Sequence, residues 1–377
     1  MKKVLIFYGS FGGGHLSTAL ALEGELKNRP NVETKTIDAL KYVNKGVNKI
    51  STGFYNRVTR NSPWFWGKLY FSANKGPLNK VLYSSNSLMS NKLNKIINRF
   101  DADAVVCTHP FAAQTCVYLK EHGKLNANIS VVITDYEIHS QWYSKHELID
   151  HIFVGSTKMK DDLILKNVKP EKIHVTGIPV KQEFRQNFNK EEIFKSLSLD
   201  PSKKTFLFFG GGEFGLGKNL PLATLESALK IFDDSQFIVI SGKNDRIYHN
   251  FRTIIKKQNA EDRVALFKYS DRIPEFMNIS TAVFSKPGGL TTTEATVSEL
   301  PFVVFGPLPG QEYANTSFIL DNEIGTFIST EDRIEYILEN LKKNPYSFDE
   351  MKANFNKIAK PNSTIDVCDI ILNNIND

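Results

Sequence analysis

"MKKVLIFYGSFGGGHLSTALALEGEL", residues 1–26, decides the fold. A short β-rich run at 4–8 ends in Gly9, three glycines (Gly12, Gly13, Gly14) follow, and a helical pattern starts near His15. A strand that passes through a glycine turn straight into a helix opens a parallel α/β unit. The glycines permit positive φ and close approach of backbone to a ligand. The helix start presents free amides and a positive dipole end at the carboxyl edge of the sheet. No Gly-Lys-Ser/Thr follows, so this is not a Walker loop, and the spacing is not G-x-G-x-x-G either. His15 at that edge titrates near neutrality and is suited to taking a proton from a hydroxyl, against the plainer reading of a turn that merely needs glycine.

The same rhythm continues. Strand candidates are 4–8, 32–37, 104–108, 129–134, 152–155 and 173–176, then 205–209, 237–241, 264–267, 282–284, 302–305 and 326–328, with amphipathic helical stretches between. The fold class is α/β, with two Rossmann-like, doubly wound domains facing across a cleft into which the strand carboxyl ends point. The expected division is a first domain at 1–180, a linker at 181–204 that is polar and carries few strand signals, and a second domain at 205–377 whose last helix can pack back on the first. At 377 residues the chain is longer than one core usually reaches, which also favours two domains.

Composition sets the setting. The chain is 41% hydrophobic and 23% charged, an ordinary globular balance. Cys107, Cys116 and Cys368 lack metal-ligand or disulfide patterning, which fits a reducing cytosol. The N-terminal apolar stretch is about five residues and ends in glycine, so it reads as a strand rather than a signal peptide. No run of roughly 18 apolar residues marks a membrane span. The net charge of +6 is concentrated: residues 41–100 hold eleven Lys/Arg and no Asp or Glu, leaving the remainder at −5. That segment interleaves its cations with Tyr42, Phe54, Tyr55, Trp64, Phe65, Trp66, Tyr70, Phe71 and Tyr83. Anionic headgroups attract such a surface by about 1 kcal/mol per basic residue, and Trp and Tyr favour the headgroup level. Trp64, Phe65 and Trp66 are the candidates for the part that dips in. Single-stranded nucleic acid is the competing partner, since bases also stack on aromatics in a cationic groove; a membrane surface, with no nucleic acid, is the favoured reading.

Two stretches in the second half carry donor chemistry. "FLFFGGGEFGLGKNLP" contains Gly210-x-Gly212-x-x-Gly215 after a strand, with Asp233 and Asp234 about twenty residues on. Those aspartates precede the next strand, whereas a ribose-binding acid should stand at its far end, so Gly210, Gly211 and Gly212 read as a diphosphate cradle of another kind. Lys218 follows in the same loop. In "FSKPGGLTTTEATVSELPFVVFGPLPGQEYANTSFIL", Lys286, Gly288 and Gly289 form a turn after a strand, Thr291 to Thr293 can cap the next helix, and Glu294 falls in its first turn. A carboxylate there can accept both ribose hydroxyls, while the helix start faces phosphates. Gln311 and Glu312 stand in a stiff loop that runs Pro307-x-Pro309-Gly310-Gln311-Glu312, and they suit sugar hydroxyls.

Together Gly12–His15, "VVITDYEIHSQWY", "VTGIPV", "FGGGEFGLGKN", "SKPGGLTTTEA" and "PLPGQEYAN" make the chain resemble the diacylglycerol glycosyltransferases over nearly its whole length. This family comprises the processive diglucosyl-diacylglycerol synthases and the monogalactosyl-diacylglycerol synthases, and has the GT-B fold. The resemblance implies an inverting transfer of glucose or galactose from a UDP-sugar to diacylglycerol or a glycosyl-diacylglycerol. It implies no required metal or cofactor and a peripheral position on the inner face of the cell membrane. By the same match His15 is the candidate general base and Asp135 a rival base or orienter. Gly14, Gly210, Gly211, Gly212, Lys286, Gly288, Gly289, Thr291, Glu294, Gln311 and Glu312 bind the donor, with Glu294 on the ribose and Gln311 and Glu312 toward the sugar. His139 and Trp142 line the acceptor side. A UDP-sugar transferase to a non-lipid acceptor, a UDP-sugar epimerase of the same fold, and a non-catalytic UDP-sugar sensor stand as alternatives.

Overall fold

The computed structural model describes residues 1–9, 13–43, 90–210, 219–307, 310–344 and 346–375. Most of the basic aromatic segment, including Trp64, Phe65 and Trp66, lies outside the described residues, as do Gly211, Gly212 and Lys218. Two compact units are present. The first holds the described residues up to Gln182 together with those from Lys360 onward, and the second spans Glu183–Ala359.

Each unit is built on a six-stranded sheet whose neighbouring strands all pair in parallel. In the first, the strands β1 (Lys2–Tyr8), β2 (Val32–Asp38), β3 (Ala104–Cys107), β4 (Asn128–Val132), β5 (His151–Val154) and β6 (Ile173–Val175) lie in the order β2-β1-β3-β4-β5-β6. In the second, β7 (Thr205–Phe209), β8 (Gln236–Ile240), β9 (Val264–Phe267), β10 (Ala282–Ser285), β11 (Phe302–Phe305) and β12 (Gly325–Ile328) lie in the order β12-β11-β10-β7-β8-β9. In both, the chain starts inside the sheet and builds outward in two directions, so each has a point where the strand order reverses. Ligands of open parallel sheets sit outside the carboxyl ends at such a point.

The strands form where they do because helices cover both faces, which makes the central strands continuous apolar runs. Val4 to Phe7 of β1 have no solvent exposure, and Ala104 to Cys107 of β3 are equally buried. Edge strand β2, VETKTID, alternates exposed and covered positions instead. In the second unit Phe206, Phe208, Phe251, Phe284 and Phe305 form an aromatic core, with Phe208 stacked on Phe305 at 5.4 Å between ring centroids.

From Glu183 onward, the stretch 181–204 read as a linker is folded in the second unit. Asn189 caps the helix Lys190–Leu197, which buries Ile193 and Phe194, and Gln236 ties down Asp200 through bonds of 3.0 and 2.7 Å. Its polarity belongs to the exposed face of an amphipathic helix, which is why composition alone resembled a connector.

The C-terminal helix, Ser363–Asn373, belongs to the first unit. Ser363 and Thr364 donate to the carbonyls of Ile178 (3.1 Å) and Val180 (2.7 Å), Arg29 pairs with Asp369 at 2.8 Å, and Val367, Cys368 and Ile371 enter the same core as Leu22 and Leu26. Ile371→Ala therefore opens a cavity in the first unit and is expected to destabilise it by ~2–5 kcal/mol. A lowered urea midpoint followed by circular dichroism checks this.

Candidate functional site

The first unit gathers three histidines around the carboxyl ends of β1, β3 and β4. Helix α1 (Gly14–Lys27) starts at the turn after β1, with Gly13 at its N-cap and no side-chain cap bond, so His15 lies in its first turn. Next to it, β3 ends at Cys107 and Thr108 donates its amide to the Phe7 carbonyl at 2.9 Å, extending the ladder by one residue. Thr108 then grips His15 twice. Its hydroxyl donates to the His15 carbonyl (2.9 Å), and its own carbonyl lies 2.5 Å from His15 Nδ1.

That second contact fixes the tautomer. A carbonyl only accepts, so Nδ1 carries the hydrogen and Nε2 keeps its lone pair. The Thr134 hydroxyl, just past the end of β4, is a further oxygen neighbour of Nδ1 at 3.0 Å. Burial pushes the His15 pKa down to about 4, against a raising effect from the Thr108 carbonyl, so the ring is neutral at pH 7. The arrangement is that of a base with its accepting nitrogen set.

His109 and His139 complete the cluster. The His109 ring meets that of His15 edge to face, with centroids 4.7 Å apart and planes at 72°. Burial holds the His109 pKa well below its usual value, with His15 and His139 adding to the effect. His139 is lowered to about 4, mainly by burial and then by His15. Trp142, expected on the acceptor side, is 2% exposed. Its indole lies 5.8 Å from the His139 ring and 6.4 Å from the His15 ring, as a packing neighbour of both. Asp135 is half-buried at the same sheet edge. The place an orienting carboxylate would take at Nδ1 is filled by the Thr108 carbonyl.

In the second unit, helix α3 and its neighbour rise from β10 and β11. Counting α2 as Pro110–Glu121 in the first unit, α3 is Gly289–Val297 and α4 is Gln311–Asp321. Gly288, at φ −66° and ψ 141°, is the N-cap of α3, so the helix begins at least three residues earlier than the threonine run suggested. Thr291 and Thr293 are inside it, Thr293 donates back to the Gly289 carbonyl (2.8 Å), and Glu294 falls in the second turn rather than the first. The cause is backbone conformation: Gly288 already has N-cap geometry, and no side chain caps the helix. Among the described residues, the nearest heavy atom to a Cβ added at Gly288 would be Thr291 Oγ1, 3.9 Å away, so their packing does not require glycine there.

Gly210 is different. A Cβ there would lie 2.3 Å from Phe251, and its amide donates to the Ile240 carbonyl at 2.8 Å. Glycine is demanded by the aromatic core, and this amide is not available to a diphosphate. Gln311 opens α4, while Glu312 forms an ion pair with Lys286, both side chains largely buried. The sequence had placed Glu312 in a loop and Lys286 near the diphosphate; the structure joins them across the β10 and β11 ends. Asn315, fully buried, donates to the Pro287 carbonyl (2.9 Å) and holds the turn before Gly288. Asp233 and Asp234 lie before β8 and face Lys342, away from any carboxyl-end site.

Thr108, His109 and Asn315 were missed as site residues by sequence reasoning. The signal for the first two was available, since Thr-His-Pro closes a strand candidate at the carboxyl edge. Among the described residues, no group of three or more His, Cys, Asp or Glu could hold a metal ion, and no helix is long and apolar enough to cross a membrane.

Comparison with known proteins places this geometry. Residues 15–180 match the model of the monogalactosyldiacylglycerol (MGDG) synthase family. The processive diacylglycerol beta-glucosyltransferase of Bacillus pumilus is 27% identical over 381 residues, covering 99% of this chain and 97% of that protein. The enzyme of the same name from Bacillus subtilis is 26% identical over 372 residues, covering 98% and 95%. Among solved structures, Acinetobacter baumannii MurG superposes with a TM-score of 0.65 at 14% identity, covering 99% of this chain and 100% of that one. A UDP-GlcNAc 2-epimerase from Neisseria meningitidis bound to UDP-GlcNAc gives 0.64 at 14%, with the same coverage. These two share the fold. With relatives matched along almost its entire length and the family model spanning the histidine cluster, the chain is a glycosyltransferase of GT-B fold that is similar throughout to the diacylglycerol glycosyltransferases.

Proposed function

We propose that the protein moves a hexose, with inversion, from a UDP-sugar to the hydroxyl of diacylglycerol or a glycosyl-diacylglycerol at the inner face of the cell membrane, making glycolipid. The observation that carries the reading is His15, neutral and held by Thr108 in the tautomer whose Nε2 accepts a proton. In the reaction the acceptor O–H proton passes to Nε2 while the acceptor oxygen forms a bond to the sugar C1. The bond from C1 to the phosphate oxygen breaks, and UDP departs with its electron pair. Asp135, one residue beyond Thr134, is the rival for the base.

Donor binding is assigned to the second unit. The start of α3 at Gly288, which no side chain caps, offers amides and a positive dipole end to the diphosphate without a required metal. Glu294 takes the ribose, and Gln311 with Glu312 takes the sugar hydroxyls, Lys286 pairing with the Glu312 carboxylate. Glucose is the first hexose to test, because the relatives matched along their full length are named beta-glucosyltransferases. Membrane attachment rests on the charge and aromatic pattern of residues 41–100.

The decisive experiment offers purified protein UDP-glucose or UDP-galactose with diacylglycerol in anionic micelles, with and without EDTA, and identifies products by mass. Glycosyl-diacylglycerol and UDP are expected in both conditions; an epimerised sugar nucleotide formed without lipid would overturn the reading in favour of an isomerase. His15→Ala is expected to lower kcat by about 10² to 10⁴ with little change in KM for the donor. Wild-type turnover in that variant would move the base to Asp135 or elsewhere. Binding to anionic vesicles is expected to weaken steeply with salt, and replacing Trp64 and Trp66 by Ala together with nearby Lys and Arg by Ser should abolish it.

Acid sensitivity follows from the same histidines. His15 and His139 titrate at about 4 when folded against 6.5 for an unperturbed imidazole. Between those values the unfolded chain binds protons that the folded chain does not, so stability is complete above pH 6.5 and is lost as pH falls toward 4. Urea midpoints should drop between pH 7.5 and 5.0, and His139→Gln should flatten that dependence.

A further inference from the structure

The chemistry assigned to His15 leaves its neighbour His109 without a role. His109 is 9% exposed and stands at the junction of β3 and α2. As N-cap of α2 it has extended backbone, Pro110 follows it, and its Nδ1 accepts the Phe111 amide at 3.1 Å. Histidine is an uncommon cap. An ordinary Asn, Asp or Ser would satisfy the helix, so capping alone does not call for an imidazole.

What the ring does is decided by its other contacts. Because Nδ1 accepts, the hydrogen is on Nε2 and the ring is neutral. Protonation would set one N–H against another and place a cation at the positive end of a helix. On one side the ring rests on Gly9, where a Cβ would come within 2.6 Å of its Cδ2 and 2.7 Å of its Cγ. On another it meets the His15 ring edge to face at 4.7 Å. Gly9 ends the strand that leads to His15, and its backbone is close to His109 only because it lacks a side chain. His109 is thus anchored by the helix cap and by Gly9, and it also touches the imidazole assigned as the base. Among the described residues, Thr108, Thr134, His109, His139 and Trp142 are near His15, and the three histidines have depressed pKa values.

We propose that His109 is a positioning residue: an uncharged wall, braced on Gly9 and the start of α2, that holds the His15 imidazole with Nε2 toward the acceptor hydroxyl. The proposal rests on the reading of His15 as the base.

A double-mutant cycle tests it. His109→Asn keeps an oxygen to cap α2 but removes the ring. With UDP-glucose and diacylglycerol it is expected to lower kcat by roughly tenfold or more, while KM for UDP-glucose stays within about twofold. If His109 acts through His15, adding the same change to His15→Ala has no further effect beyond about twofold. Gly9→Ala keeps the ring but forces it to move, and should reproduce the kcat loss and the same non-additivity; it carries the cycle should the Asn variant not fold. Wild-type kcat in both His109→Asn and Gly9→Ala, or an equal loss with and without His15, overturns the proposal. Wild-type turnover by His15→Ala instead removes the base assignment itself, so the two failures are told apart.

Discussion

The hydrogen bond between His15 Nδ1 and the Thr108 carbonyl is the constraint on which the role proposed for His15 depends. It exists because β1 and β3 are neighbours in a parallel sheet, in register from Val4 with Ala104 to Phe7 with Cys107. That register brings Thr108 opposite the exit of β1, where the glycine turn delivers the start of α1. A shift of one residue would point Thr108 at the other face of the sheet and leave His15 without its partner. The apolar runs of β1 and β3 set the register by burying both faces, so the state of a single imidazole is fixed by the packing of Val4, Ile6, Ala104 and Val106.

The second unit obeys the same geometry with a different outcome. Two glycines after its strands do unlike work: Gly210 makes room for Phe251, while at Gly288 no described residue would be crowded by a side chain. The turn carrying Gly288 is held by Asn315, so the start of α3 is kept in a defined place by a buried amide on the next helix. Donors aligned in advance need no reorganisation when charge arrives, which suits the proposed diphosphate site. The Lys286 and Glu312 pair shows a related economy, because each neutralises the other in a largely buried position where an unpaired charge would be costly.

Much of the fold was legible in the sequence. All twelve strand candidates correspond to strands, because buried parallel strands are compact apolar runs bounded by turn residues. Helical linkage was harder to read at 181–204, where amphipathicity over two turns resembles a polar connector. The sites were legible in proportion to how local their signals are. His15 and Gly288 sit in short motifs at strand ends, whereas the roles of Thr108, His109 and Asn315 arise from contacts across 93, 94 or 28 positions of chain, or are suggested only by a strand that stops. Glu294 shows the limit of cap rules: a threonine run invites a cap, but glycine with N-cap backbone geometry one turn earlier takes that position.

The crowding of three imidazoles imposes a final restriction. Protons on any two of them would repel in a site with little water, so the cluster holds at most one readily. His109 is excluded from carrying it, because its Nδ1 must accept the Phe111 amide. His15 and His139 therefore share the capacity, and of these His15 has its Nδ1 hydrogen committed to Thr108 and Nε2 as its only site for a new proton. For the proposed role of His15 as base, neutral neighbours matter: a permanently charged His109 would oppose the imidazolium at 4.7 Å, and a helix cap is the device that keeps it uncharged.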